Sequence, residues 1–167
     1  VVMRALIDPG DQVILPDPAY VAYAPAIALA GGEPVSIPTS EAQAFALDPA
    51  AVAAAVTPRT RALLLGFPAN PTGAVLSSDA LDALAAIARQ HDLLVISDEI
   101  YDRLVYGVQH IPLATLPGMR ERTITLGGFS KDYAMTGWRI GYVAASRPIL
   151  EGVMKIHQYV MMSAPTP

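Results

Sequence analysis

RALLLGF, residues 61–67, is a continuous apolar run of strand length after its first residue. A strand with one wet face alternates apolar and polar positions. A run without alternation is what a strand covered on both faces requires. Downstream, PANPTG (68–73) is a turn, and SSDALDALAAIARQHD (77–92) reads as a helix. Ser77 or Ser78 can cap it, Asp79 and Asp82 suit its positive end, and Leu81, Leu84, Ala85 and Ala88 form one stripe. LLVIS (93–97) is the next buried strand, followed by RTITLGG (122–128) and RIGYVAA (139–145). An amphipathic helix then starts near Pro148 and runs through Met154, Ile156 and Tyr159.

Upstream the alternation continues. QVILP (12–16) and EPVSIP (33–38) are strands, and PAYVAYAPAIALAGG (18–32) between them is a helix entered through a turn and stopped by Gly31-Gly32. Asp48-Pro49 opens the helix PAAVAAAV as cap and first residue. VVMRALI, before Pro9-Gly10, reads as the tail of a helix. Strands alternating with helices predict an α/β fold of three layers, a mostly parallel sheet with helices on both faces. An α/β barrel would need more strand–helix units than the chain holds. The 167 residues suit one domain. Because the chain opens inside a helix and MMSAPTP ends without a cap, the domain is expected to be incomplete at both ends.

Composition narrows the function. Hydrophobic residues make up 53% and charged ones 16%, so most of the chain packs into a core. A net charge of −4 argues against nucleic acid or an anionic membrane as the partner. No apolar run approaches the roughly 18–20 residues of a spanning helix, and the N-terminus lacks the pattern of a secretory signal. The chain has no cysteine, which excludes disulfides and thiolate metal sites and is compatible with a cytoplasmic location. His91, His110 and His157 lack ligand spacing, and no metal is expected.

Open parallel sheets bind ligands at the carboxyl ends of their strands. The polar residues just past the strands are Asn70, then Asp98 and Tyr101, then Ser130 and Lys131. Each has a plain structural alternative. Asn70 could only build its NPTG turn, Asp98 could cap a following helix, and Lys131 could be a solvated surface lysine. Lys131, however, follows a strand end within GGFSKDYAMTGWRIGY (127–142), where Gly127, Gly128, Gly137 and Gly141 let backbone approach a bound phosphate. A lysine held there can have a lowered pKa and act as a nucleophile toward carbonyls. Arg139 offers a donor fork matched to phosphate or carboxylate. A Schiff-base lysine, an acid for a pyridine nitrogen and a phosphate clamp are what pyridoxal 5'-phosphate needs.

The chain resembles the large, cofactor-binding domain of the class I/II pyridoxal-phosphate aminotransferases, the aspartate aminotransferase-like group of fold type I. The resemblance runs in order through GDQVILPDPAYVAY, AGGEPV, PANPTGAVLS, HDLLVISDEIY and GFSKDYAMTGWRIGY. It implies that Lys131 forms the Schiff base and later shuttles a proton, and that Asp98 pairs with the protonated pyridine nitrogen. Tyr101 and Asn70 would bond the phenolic oxygen, with Asn70 also near the substrate carboxylate. Arg139 would grip the phosphate with help from Ser130, and Tyr20 would stack on the ring. Tyr23, Tyr133 and Tyr142 are read as structural, Trp138 as packing beside Arg139, and Met135 and Thr136 as shaping the turn.

By the same resemblance, residues 1–150 are a partial large domain and 151–167 the start of a helix toward a small domain. A phosphate-cradling loop and a partner-subunit tyrosine would precede residue 1, and a carboxylate-binding arginine would follow residue 167. Ala69 replaces an asparagine found in many relatives, with little consequence for the cofactor. Gly128 stands where some place a phosphate-binding serine, which shifts weight to Ser130 and backbone N–H groups. The implied activity is transfer of an amino group from an amino acid to a 2-oxo acid by a homodimer, with this chain alone inactive. The resemblance leaves open a lyase or decarboxylase of the same fold, and the ligand-sensing domain of a transcription regulator.

Overall fold

A computed structural model describes residues 1–164. In chain order its elements are α1 (Val2–Leu6), β1 (Gln12–Asp17), α2 (Tyr23–Leu29), β2 (Glu33–Pro38), α3 (Pro49–Ala55), β3 (Thr60–Gly66), α4 (Ser78–Gln90), β4 (Leu94–Asp98), β5 (Thr123–Gly128), β6 (Gly141–Ala144) and α5 (Arg147–Val160). The RALLLGF run is β3, and it lies inside a six-stranded sheet of order β2-β1-β3-β4-β5-β6. Every neighbouring pair is parallel except β5 and β6.

The reason β3 lacks polar alternation is visible in its packing. Leu63 and Leu65 join one apolar cluster with Ile14, Val52, Leu81 and Leu84, under α3 and α4. Ala62 and Leu64 join a second cluster on the opposite face, with Val2, Ile27, Ile124 and Val153 from α1, α2, β5 and α5. Leu63 and Leu64 are both 0% exposed. Each such leucine contributes roughly 1.5–3 kcal/mol by leaving water. Two helix layers enclosing one sheet make the three-layer α/β/α arrangement that the sequence predicts.

Local signals act as read. Asp48 accepts the Ala50 N–H at 2.9 Å to open α3, and the Ser77 hydroxyl accepts the Ala80 N–H at 3.2 Å to open α4. Leu81, Leu84, Ala85 and Ala88 are the buried stripe of α4.

Three expectations change. The strand expected over 139–145 is confined to Gly141–Ala144 and runs antiparallel. Residues 129–140 form a loop with one 3₁₀ turn at Thr136–Trp138 instead of a crossover helix, so the chain returns alongside β5 in the opposite sense. Arg139 therefore precedes the strand, in the left-handed region at φ 54°. The helix expected within 18–32 is limited to Tyr23–Leu29, which leaves Tyr20 in the turn before it. Trp138 is 47% exposed and not packed away.

α5 crosses position 150 without a break and buries Val153 in the second cluster. Among the described residues, no helix is long and apolar enough to cross a membrane. Pro165, Thr166 and Pro167, the end of MMSAPTP and of the segment 151–167, lie outside the described residues.

Candidate active site

Parallel register brings the strand ends level. Gly66 pairs with Asp98, and Asp98 with Leu126, so β3, β4 and β5 finish side by side. Beyond these ends lies a cavity of about 450 Å³. Its wall contains Tyr20, Asn70, Asp98, Tyr101, Ser130, Lys131 and Arg139, every residue that the sequence singled out for chemistry.

Asp98 ends β4 and is half-buried. One carboxylate oxygen, Oδ2, accepts the Tyr23 hydroxyl at 2.8 Å. The other, Oδ1, accepts the Ile100 N–H at 3.2 Å. No helix follows, so the helix-cap alternative for Asp98 reduces to this single turn bond. Burial raises the Asp98 pKa, the bonds from Tyr23 and Ile100 oppose that, and the neighbouring Glu99 charge adds to it.

Lys131 is exposed rather than enclosed, and its Nζ stands 5.8 Å from the centre of the Tyr101 ring. The loop after it is closed by its own bonds. Thr136 Oγ1 donates to the Ser130 carbonyl at 2.9 Å, and Arg139 Nη1 donates to the Thr136 carbonyl at 2.8 Å. Thr136 thus fixes the span between Ser130 and Arg139, which agrees with reading it as a shaper of the turn.

Asn70 is exposed in the turn after β3. Main-chain bonds from Ala69 to Ala74 and from Gly73 to Ala69, with the Thr72 hydroxyl accepting the Ala74 N–H, build that turn. Among the described residues the Asn70 side chain has no bond in it, which removes the reading of Asn70 as a turn builder.

Three of the four glycines also make room for protein neighbours. A Cβ on Gly127 would lie 2.4 Å from the Tyr142 ring, and one on Gly128 would lie 2.8 Å from Ile100. A Cβ on Gly141 would lie 2.9 Å from the Gly127 carbonyl oxygen. At these three positions a side chain would meet protein neighbours, while Gly137 has open space around it; Gly127, Gly128 and Gly141 also line the cavity. Tyr142 does serve packing, filling the place over Gly127. Its pKa is raised by burial first and then by the charges of Asp102, Glu99 and Asp132.

The sequence reading took Tyr23 as structural and did not see its link to Asp98. Its hydroxyl holds Asp98, and its ring meets Tyr20 edge-on at 5.5 Å and 79°. Burial first, and then the Asp98 charge, push its pKa far up, so the hydroxyl stays a donor. Gly66 makes the contact possible, because a Cβ there would sit 2.4 Å from the Tyr23 oxygen. The only local signal was a second tyrosine three residues after Tyr20. The partner is 75 positions away.

A carboxylate, a lysine, an arginine fork and two tyrosines around one cleft form the donor set seen in the resemblance, and residues 1–167 match the family described as aminotransferase class I and II. The chain belongs to this family. It is 48% identical over 158 residues to the aspartate aminotransferase of Pyrococcus abyssi, covering 94% of this chain and 41% of that protein. It is also 48% identical over 151 residues to aromatic-amino-acid aminotransferase 2 of Thermococcus litoralis, covering 90% and 39%. The crystal structure of the aromatic aminotransferase from Pyrococcus horikoshii superposes with a TM-score of 0.94 at 46% identity, over 98% of this chain and 44% of that one. The chain thus has the α/β fold of aminotransferases and spans about two fifths of the length of these relatives.

Proposed function

We propose that the full-length protein carrying this chain is an aminotransferase that binds pyridoxal 5'-phosphate at the Lys131 cavity and moves an amino group from an amino acid to a 2-oxo acid. The observation that carries this reading is the convergence of Lys131, Asp98, Tyr101, Asn70, Ser130, Arg139 and Tyr20 on one cavity. A volume of about 450 Å³ is within the ordinary range for cofactor sites. The donor chemistry also fits: an amine, a half-buried carboxylate and a guanidinium are present together. When bound, the cofactor supplies the electron sink that a substrate Cα carbanion needs.

The protein's part is binding, orientation and proton handling. Asp98 would hold the proton on the pyridine nitrogen, with Tyr23 and the Ile100 N–H keeping its carboxylate ionised and aimed. Tyr101 and Asn70 would donate to the phenolic oxygen. Lys131 Nζ would anchor the aldehyde and carry a proton to and from the substrate carbon. Arg139, with Ser130, would bind the phosphate by charge-assisted bonds, and the Tyr20 ring would lie on the cofactor face. The same reading extends to a cytoplasmic homodimer, supported by the resemblance.

Two of the relatives, equally identical to this chain, are named for different substrates, aspartate and aromatic amino acids. The amino donor is therefore left general. The test is spectrophotometric. Full-length protein loaded with pyridoxal phosphate and given single amino acids should lose the cofactor's absorption band and yield the matching 2-oxo acid. Lys131→Ala should lack the lysine-dependent band before any substrate is added. A protein that converts no common amino acid, or that keeps the band without Lys131, overturns the proposal. Ammonia and pyruvate released without an amino acceptor would identify a lyase instead.

A further inference from the structure

Behind the cavity, on the other side of the end of β4, lies a buried carboxylate that the proposed chemistry does not use. Glu99 is only 6% exposed, and both of its oxygens are engaged. The Ser97 hydroxyl donates to Oε1 at 2.9 Å, and His110 Nε2 lies 2.9 Å from Oε2. Ser97 and His110 share an apolar niche with Leu65, Leu81 and Leu113, on the α4 face of the sheet. A carboxylate this enclosed is costly unless each oxygen has a partner. The pair is therefore a firm contact rather than a surface ion pair.

What it fastens is the long connector from β4 to β5. Among the described residues, positions 105–111 make no backbone–backbone hydrogen bond, and the His110 contact is the one hydrogen bond any of their side chains makes. Burial does not hold the middle of the connector either, since Leu104, Tyr106 and Val108 are exposed. The stretch 102–111 is pinned at both ends through Glu99, while the rest of the connector is held by buried Leu113 and Met119 and by the Arg89 Nη1 bond to the Pro117 carbonyl at 2.8 Å. The Glu99 carbonyl accepts the Asp102 N–H at 3.0 Å, starting a turn in which the Leu104 N–H donates to Tyr101 at 2.9 Å. The Glu99 side chain takes His110. Tyr101 sits between these pins.

We propose that the Glu99–His110 clasp is a positioning device for Tyr101. It closes the connector on itself, so that the turn presents the Tyr101 ring to the cavity in one geometry. His110 is then a positioning residue that touches neither substrate nor cofactor. This rests on the reading of Tyr101 as a cofactor contact.

The experiment uses the full-length protein and two readouts. One is amide hydrogen exchange over residues 99–111 without cofactor. The other is the pH titration of the absorption of bound pyridoxal phosphate. His110→Ala should speed exchange at Asp102 and Leu104 by about tenfold or more. It should also shift the titration midpoint in the direction that Tyr101→Phe shifts it, and add nothing further in the Tyr101→Phe background. His110→Gln, whose amide nitrogen takes the place of Nε2, should restore both readouts. If His110→Ala does not fold, Glu99→Gln, which keeps the shape and the Ser97 contact, should move both readouts the same way. A lowered melting temperature with exchange and titration unchanged overturns the clasp, as do effects of His110 and Tyr101 that simply add. If the wild type takes up no pyridoxal phosphate, the cofactor reading fails, and the exchange result alone decides whether the clasp holds the connector.

Discussion

Replacing Gly66 with alanine tests the link between the sheet and the proposed acid of the site. The new Cβ would lie 2.4 Å from the Tyr23 oxygen, 2.9 Å from Cε2 and 3.0 Å from Cζ, where ordinary contact begins near 3.4 Å. The backbone at Gly66 is not in the left-handed region, so the side chain of Tyr23 has to give way, by about 1 Å. That breaks its 2.8 Å bond to Asp98 Oδ2. A hydrogen bond to a charged group contributes about 1.5–3 kcal/mol. Its loss raises the Asp98 pKa further, beyond the rise that burial already causes. Tyr23→Phe removes the same bond without crowding, so the two variants should share the effect on Asp98 while only Gly66→Ala strains the packing. The assay is equilibrium binding of pyridoxal phosphate to the full-length protein, with the cofactor carrying ¹⁵N in its ring. Both variants should bind about tenfold or more weakly, and the ring nitrogen signal should move toward its unprotonated value. Affinity within twofold of wild type and an unmoved nitrogen signal in Tyr23→Phe would refute the reasoning, whatever happens to the melting temperature.

Other perturbations reach the core, the loop and the charge balance. Leu64→Ala opens a cavity at a side chain with no exposure and should cost about 2–5 kcal/mol in a denaturant melt. Arg139→Gly relieves a left-handed arginine, a gain of about 1–2 kcal/mol that glycine's larger entropy loss on folding partly offsets. Stability should hold to within about 1 kcal/mol while affinity for pyridoxal phosphate falls by roughly tenfold or more, as loss of a charge-assisted phosphate contact requires. Asp132, whose Oδ1 is buried with no hydrogen-bond partner among the described residues, has its pKa raised to about 6 by burial first and then by Asp102. The folded chain therefore holds this proton over a window, from about 4 to about 6, in which the unfolded chain releases it, and stability falls as pH rises through that window. Asp132→Asn should be the more stable protein above pH 6, with the gap closing toward pH 4 and reduced by solvent screening. Denaturant melts at a series of pH values would check both the sign and the window.

What could be read from the sequence divides along a physical line. β3, β4 and the stripe of α4 announce themselves because burial on a whole face is written into neighbouring positions of one segment. The site residues follow, because the ends of parallel strands are known once the strands are. Arg139 shows the first limit: its type suggested an anion clamp, but its backbone depends on a return through Thr136–Trp138 that no periodicity encodes. β6 shows the second. As a short edge strand with three of its four residues exposed, it lacks the apolar run from which a buried strand is inferred, and its direction is set by the loop before it. Tyr23 and His110 show the third. Each matters through one hydrogen bond to a carboxylate at the end of β4, Tyr23 to Asp98 and His110 to Glu99, and these carboxylates are adjacent in sequence but face opposite sides. Of the DE pair, Asp98 alone was legible, from its place just past a buried strand. Their partners were not, because Tyr23 reaches Asp98 only where Gly66 leaves space, and that complementarity exists only once β3 and β4 stand in register.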